Sequence, residues 1–215
     1  MAENLTSDSA LGHLRVIELG DIPAAYATRQ LADLGADVIK VEPTGGDPNR
    51  RLPPFAGHIE DPERSLTFIN ANANKRSIML DLERESDREV FAKLLASAQL
   101  FVEATPLGFL EGAGFTDESL RERFSHLAII SITPFGRTGP YRYYKGSDAI
   151  ANATGGFLYG QGDNVKGQCT APSHLAYQMA GTMAALLGLA AVRHARVSGA
   201  GQRIDMSLQE ALTFC

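Results

Sequence analysis

The chain has 215 residues, long enough for one sizeable core. Its apolar share of 44% and charged share of 21% are ordinary for a globular protein. A net charge of -5 with interspersed acids and bases gives no basic stripe for nucleic acid and no polybasic arm for a membrane surface. Cys169 and Cys215 form neither a metal-ligand spacing nor a disulfide framework, so a reducing, cytoplasmic setting and no metal are expected. Residues 1–10 are polar, lack an apolar secretory core and read as a flexible N-terminus. Only 175–192 approaches the length of a membrane span. Its Tyr177, Gln178 and Thr182, and its Ala, Gly and Met content, favour a buried helix and no membrane.

Taken in order, 14–19 is a β-rich run, 23–34 has helix-forming composition with Pro23 tolerated in a first turn, and Gly35 stops it. A second strand at 37–41 completes a βαβ unit, whose parallel strands require helices on the sheet faces. The Gly-, Pro- and Arg-rich stretch 44–64 predicts an exposed loop. A strand at 77–80 follows. A helix over 83–97 then gathers Val90, Phe91, Leu94 and Leu95 on one face. Next come a strand at 99–103, a short helix at 117–124 capped by Thr116, and a strand at 127–132. This alternation predicts an α/β fold, a Rossmann-like and mainly parallel sheet with helices on both faces.

Beyond Thr133 the character changes. Residues 134–145 form a Gly/Pro/Tyr loop, 147–158 a helix, and 155–167 a second Gly-rich loop. A long small-residue helix is expected over 172–196, ending in Arg193, His194 and Arg196 beside its negative dipole end. A strand at 202–206 precedes a helix begun at 207–214 whose apolar face lacks a partner, which reads as a fold incomplete at its C-terminus. The βαβ unit invites a dinucleotide, with Glu42 placed for a ribose. The turn LGDIPAA from Leu19 to Ala25 has one glycine where GxGxxG needs three, so NAD is not expected.

Five segments carry a family likeness: LRVIELGDIPAAYATRQLADLGADVIKVEP (14–43), NKRSIMLDL (74–82), LFVEATPLGFLEGAGF (100–115), LAIISITPFGRTGPY (127–141) and LLGLAAVRHARVSGAGQRIDMSLQEAL (186–212). In this order they resemble the family III CoA-transferases, the group of formyl-CoA and carnitine CoA-transferases and α-methylacyl-CoA racemases. The resemblance implies a CoA-binding large domain over 11–215, part of a longer protein with a smaller C-terminal domain. It also implies an interlocked homodimer in the full-length form, and CoA moving between an acyl-CoA and a carboxylic acid.

By the same resemblance, CoA contacts fall on Ile22 and Pro23 after the first strand, on Leu80, Asp81 and Leu82 after the third, and on Ala104, Thr105 and Pro106 after the fourth. Lys145 would stand against the cofactor. Pro43 and Gly112 occupy positions where the formyl-CoA branch has arginines. Arg50, Arg51 or Arg76 would supply that charge, and Tyr141, Tyr143 and Tyr144 could wall the nucleotide.

The family's nucleophilic aspartate, which attacks the thioester carbonyl, precedes the long helix. Its position here falls on Ala176 or Tyr177, within 41 residues between Asp163 and Asp205 that contain no carboxylate. The racemase Gly-His-Asp is Gly146-Ser147-Asp148, and serine has no useful basicity near neutral pH. Asp148 is the weak substitute candidate, better suited to ordering a loop or a helix start. Asp163 reads as a turn residue and His174 as part of a helix N-terminus. Two readings follow: a transferase with its nucleophile replaced, or a silent CoA-binding half paired with an active homologous half.

Overall fold

Side-chain alternation assigns each strand its two faces. The computed structural model describes residues 9–163, 165, 167–172 and 174–214. Its strands are β1 (Arg15–Gly20), β2 (Asp37–Glu42), β3 (Arg76–Met79), β4 (Leu100–Ala104), β5 (Ala128–Thr133) and β6 (Arg203–Ser207). They lie in the order β3-β2-β1-β4-β5-β6, every neighbouring pair parallel. That is the doubly wound order, reversing direction between β1 and β4. Along β1, Val16 joins one core and Ile17 and Leu19 the other.

The helices are α1 (Ile22–Asp33), α2 (Leu66–Asn72), α3 (Glu85–Ser97), α4 (Phe109–Gly112), α5 (Asp117–Arg123), α6 (Asp148–Thr154), α7 (Leu175–Ser198) and α8 (Leu208–Ala211). On one face, α1, α6, α7 and α8 cover Val16, Val38, Leu100, Val102 and Ile130. On the other, α3, α4 and α5 cover Ile17, Ile39, Phe101 and Ile129. The second core is aromatic at its centre: Phe91 meets Phe101 and Phe115 edge-on, with centroids 5.7 and 5.0 Å apart. Truncating so buried a ring costs about 3–5 kcal/mol.

Small residues let α7 press on α1. A Cβ on Gly181 would lie 2.8 Å from Tyr26 Cβ and 3.0 Å from the Ala27 nitrogen, so only glycine permits this separation. By length and composition α7 could cross a membrane, yet Ala176, Ala180, Ala184, Ala185 and Ala191 are buried in the core.

The α/β expectation holds, with corrections. The stretch 44–64 is no open loop. It folds into 3-10 turns at Pro48–Arg51 and Ala56–His58 and buries Asp47 and Asn49, because the inward Lys40 ammonium draws Asp47 beneath it at 2.7 Å. Helix α2 was not anticipated; Ser65 caps it by accepting from the Phe68 N–H at 3.2 Å. The third strand is Arg76–Met79 rather than 77–80, an edge strand with Met79 exposed. On α3, Phe91 and Leu95 are buried while Val90 turns outward. Helix α6 stops at Thr154 instead of reaching 158. Gly155 packs its backbone against Leu212 there, and Gly156 turns the chain with φ 90°. The expected unpartnered face at 207–214 is buried: Leu208, Ala211 and Leu212 join the first core. Cys215 and residues 1–8 lie outside the described residues.

Candidate functional site

The ligand edge of an open α/β sheet lies beyond the strand C-termini, where the strand order reverses. Here that point is unusually tight. Gly20 ends β1 with φ 105°, and a Cβ on it would fall 2.4 Å from the Ala104 carbonyl oxygen. The next residue, Asp21, donates its N–H to that oxygen at 3.2 Å. Its Oδ1 accepts from the Ile22 N–H at 2.7 Å and from Asn49 Nδ2 at 2.9 Å. Asn49 is fixed in turn, its N–H donating to Asp47 Oδ1 at 2.8 Å.

Behind this wall lies a buried ionic network. Glu18 and Lys40 are register partners on β1 and β2, and Lys40 Nζ donates to Glu18 Oε1 at 2.7 Å and meets Asp47 Oδ2 at 2.7 Å. Lys75 Nζ donates to Glu18 Oε2 at 2.7 Å, to the Ala25 carbonyl at 2.8 Å and to Asn72 Oδ1 at 3.0 Å. Burial pushes the Glu18 carboxyl up, but Lys40 and Lys75 outweigh it and hold it at about 2. Burial likewise lowers Lys40, and Glu18 and Asp47 reverse this to leave it above its ordinary value. For Lys75 burial prevails over Glu18 and brings it down to about 8. A chain of contacts therefore runs from Lys40 through Asp47 and Asn49 to Asp21.

A cleft of about 500 Å³ opens at Asp21 and is lined by Ile22, Asn49, Asp148, His174 and Tyr177 among others. Ser147 caps α6, accepting from the Ile150 N–H at 3.3 Å. Asp148 follows in the first turn and ties α6 to α7. Its Oδ1 accepts from the Tyr177 N–H at 3.2 Å and its Oδ2 from Asn152 Nδ2 at 3.0 Å. His174, in a left-handed conformation with φ 58°, starts α7 and stacks on Tyr177 with centroids 5.7 Å apart. Burial, and then the negative charge of Asp21, raises the Tyr177 phenol above its ordinary value, so it stays neutral.

Helical phase separates the two positions at which the resemblance sets its aspartate. Ala176 is fully buried in the core, whereas Tyr177 lines the cleft. A phenol therefore stands there, with Asp148 behind it and both oxygens of that carboxylate engaged. Asp163 makes the expected turn, accepting from the Val165 N–H at 2.7 Å.

The segments expected at CoA follow the C-terminal ends of β1, β3, β4 and β5. Ile22 lines the cleft, and Pro23 is buried beside it in the first turn of α1. Leu80 and Leu82 are core residues flanking α3. Asp81 organises the approach to α3, accepting from the Glu83 N–H at 3.0 Å and donating its own N–H to Asp87 at 2.8 Å. Ala104 offers its carbonyl to Asp21. Thr105 donates its N–H and hydroxyl to Glu103 at 2.9 and 2.7 Å. Pro106 and Lys145 are exposed.

Of the three arginines expected to supply charge, Arg50 and Arg76 are already engaged by carboxylates. Arg50 is held by Glu42 at 2.8 and 2.9 Å and by Glu63 at 2.9 Å, which neutralises it. Glu42 is correspondingly committed to Arg50 and Ser77. Arg76 begins β3 and pairs with Asp37 at the start of β2, so it sits at the opposite end of the sheet from the ligand edge. Arg51 is exposed. Tyr141 and Tyr144 pack together at 5.2 Å with Phe135 beside them, and Tyr143 lies under Arg142 at 4.5 Å.

A second cleft of about 520 Å³ borders Tyr143, Arg137 and Arg203. Arg137 holds Asp117 at 3.0 Å and Glu111 at 2.9 Å, and Arg203 donates to Ser131 Oγ at 2.7 Å. This cluster and the Glu18 network escaped the sequence reading. For the Glu18 network the available signal was charge at inward positions of otherwise apolar strands, Glu18 on β1 and Lys40 on β2.

Comparison with known proteins places the chain firmly. The profile of CoA-transferase family III matches residues 11–215. Succinyl-CoA:(R)-benzylsuccinate CoA-transferase subunit BbsE of Thauera aromatica is 40% identical over 197 residues, covering 92% of this chain and 48% of that protein. The succinyl-CoA–L-malate CoA-transferase beta subunit of Chloroflexus aurantiacus is 35% identical, covering 99% of this chain and 52% of that protein. A crystal structure of a CAIB/BAIF family protein from Brucella suis superposes with a TM-score of 0.86 at 35% identity, over 94% of this chain and 53% of that one. The chain thus spans about half the length of the relatives it matches.

Proposed function

The chain belongs to CoA-transferase family III, and from that premise we propose that it is the CoA-thioester-binding half of a transferase whose covalent exchange is completed by a homologous half. The whole assembly would move CoA between an acyl-CoA and a carboxylic acid. The observation that carries this reading is Tyr177: a neutral phenol lines the cleft at one of the two positions, 176 and 177, on which the resemblance sets the aspartate, and the other, Ala176, is no acid either. A phenol cannot form the acyl anhydride from which a protein-bound CoA thioester arises. Loss of a nucleophile typically lowers turnover by about 10⁴- to 10⁶-fold.

The names of the relatives support pairing, since two of them are subunits of named CoA-transferases. In this reading CoA lies along the strand tips at Ile22, Pro23, Leu80 to Leu82, Ala104 to Pro106 and Lys145, largely against main chain. Neither NAD nor a metal takes part. The partner is a homologous half, or a second full-length copy in an interlocked dimer. The exposed free thiol of Cys169 suits a cytoplasmic setting.

A rival reading has this chain complete the transfer itself through Asp148. Both oxygens of that carboxylate already accept hydrogen bonds, which disfavours attack on a thioester. Calorimetry with CoA and intact-mass measurement after incubation with acyl-CoA test the proposal. Heat of binding without a protein-bound thioester is expected. Absence of binding, or a thioester formed on this chain, would refute it.

A further inference from the structure

Resting on the reading that this edge binds a CoA thioester, we propose that the cleft beside Tyr177 directs water onto the thioester, with His174 as general base. The substrate class is an acyl-CoA, and the products are a carboxylic acid and free CoA. His174 stands at the N-cap of α7 in a left-handed conformation, φ 58° and ψ 50°, and its side chain makes no capping bond. Serine, threonine, aspartate and asparagine are the residues that cap a helix, and glycine is the one that takes this backbone without strain. The imidazole serves neither purpose. It is half-buried on the cleft wall instead, stacked on Tyr177 with centroids 5.7 Å and planes 18° apart. Non-glycine residues held in this sparsely populated region concentrate at active sites.

A base and a proton donor thus share one wall. The Tyr177 phenol keeps its proton, because burial and then the charge of Asp21 oppose its loss. Asp21 lines the same cleft, and its negative charge favours the imidazolium that forms during the reaction. The water oxygen bonds to the thioester carbon while His174 takes the water proton. The Tyr177 hydroxyl donates a hydrogen bond to the oxyanion. The carbon–sulfur bond then breaks, its electron pair passes to sulfur, and the imidazolium returns the proton to the departing thiolate. One water is consumed and no acyl group is left on the protein.

Butyryl-CoA and adipyl-CoA offer a methyl and a carboxylate terminus, and thiol release from each is followed with a thiol-reactive chromophore. Release above the buffer rate is expected. His174→Gly relieves the left-handed backbone, so thermal denaturation should find it at least as stable as the unmodified protein. Its kcat should nevertheless fall by about 100-fold or more, with KM little changed. Tyr177→Phe keeps the ring stack and should lower kcat by roughly 100-fold. Calorimetric binding of CoA without thiol release from either thioester overturns the proposal, as does a His174→Gly protein that releases thiol at the unmodified rate. If CoA itself gives no heat of binding, the CoA-binding reading falls with it.

Discussion

Replacing Glu18 by Gln removes the one carboxylate that Lys40 and Lys75 share inside the sheet. The folded protein holds this group at about 2 against an ordinary 4.5. That gap corresponds to about 3 kcal/mol of stability. Because the folded value is depressed, the contribution is complete above 4.5 and is lost as pH falls toward 2. The variant should suffer at neutral pH by roughly 3–5 kcal/mol, since breaking a buried pair leaves an uncompensated ammonium. Against a total of about 5–15 kcal/mol this is a large share. Urea denaturation of both proteins at a series of pH values measures it. The wild type should weaken between pH 4.5 and the acid limit more steeply than Glu18→Gln. A variant within about 1 kcal/mol of wild type at pH 7, or parallel acid limbs, would refute the reasoning.

Further outcomes are expected at the same network and at α7. Lys75 sits at about 8 in the folded chain against an ordinary 10.5, so the unfolded chain binds the extra proton between those values. Stability should therefore rise from pH 8 toward 10.5, and Lys75→Met should abolish that rise in urea midpoints. Gly181→Ala drives a methyl to 2.8 Å from Tyr26 Cβ, and thermal denaturation should register a loss of about 1–3 kcal/mol. Tyr177→Asp places a carboxylate on the cleft wall; incubation with an acyl-CoA should then yield a CoA thioester on the protein, read by intact mass. Binding of CoA by this variant without any adduct would remove position 177 as the site of the missing nucleophile.

Apolar runs at 14–19, 37–41 and 127–132 made the central strands legible, because strands buried on both faces read as nearly unbroken hydrophobic stretches. The same logic hid Glu18 and Lys40. A charged residue within such a run declares its partner only when register sets it opposite another, as β1 and β2 do here. Helix α2 was missed because it is short and buries only Phe68 and Ala71, too few for a periodic signal. The stretch 44–64 carried turn chemistry and polarity. Its ordering comes from Asp47 and Arg50 turning back onto Lys40 and Glu42 of β2, pairings that local composition does not reveal. At the site, the sequence narrowed the aspartate position to adjacent residues. Only the rotation of α7 on α1 decides that Ala176 points inward and Tyr177 toward the cleft.

Tyr177 rides on the opening turn of a 24-residue helix that a glycine seats directly on its neighbour. Whatever side chain occupies that position inherits a fixed station over the cleft, because the helix has no slack with which to relocate it. Exchanging a reactive group for an inert one there alters the chemistry and leaves the architecture standing.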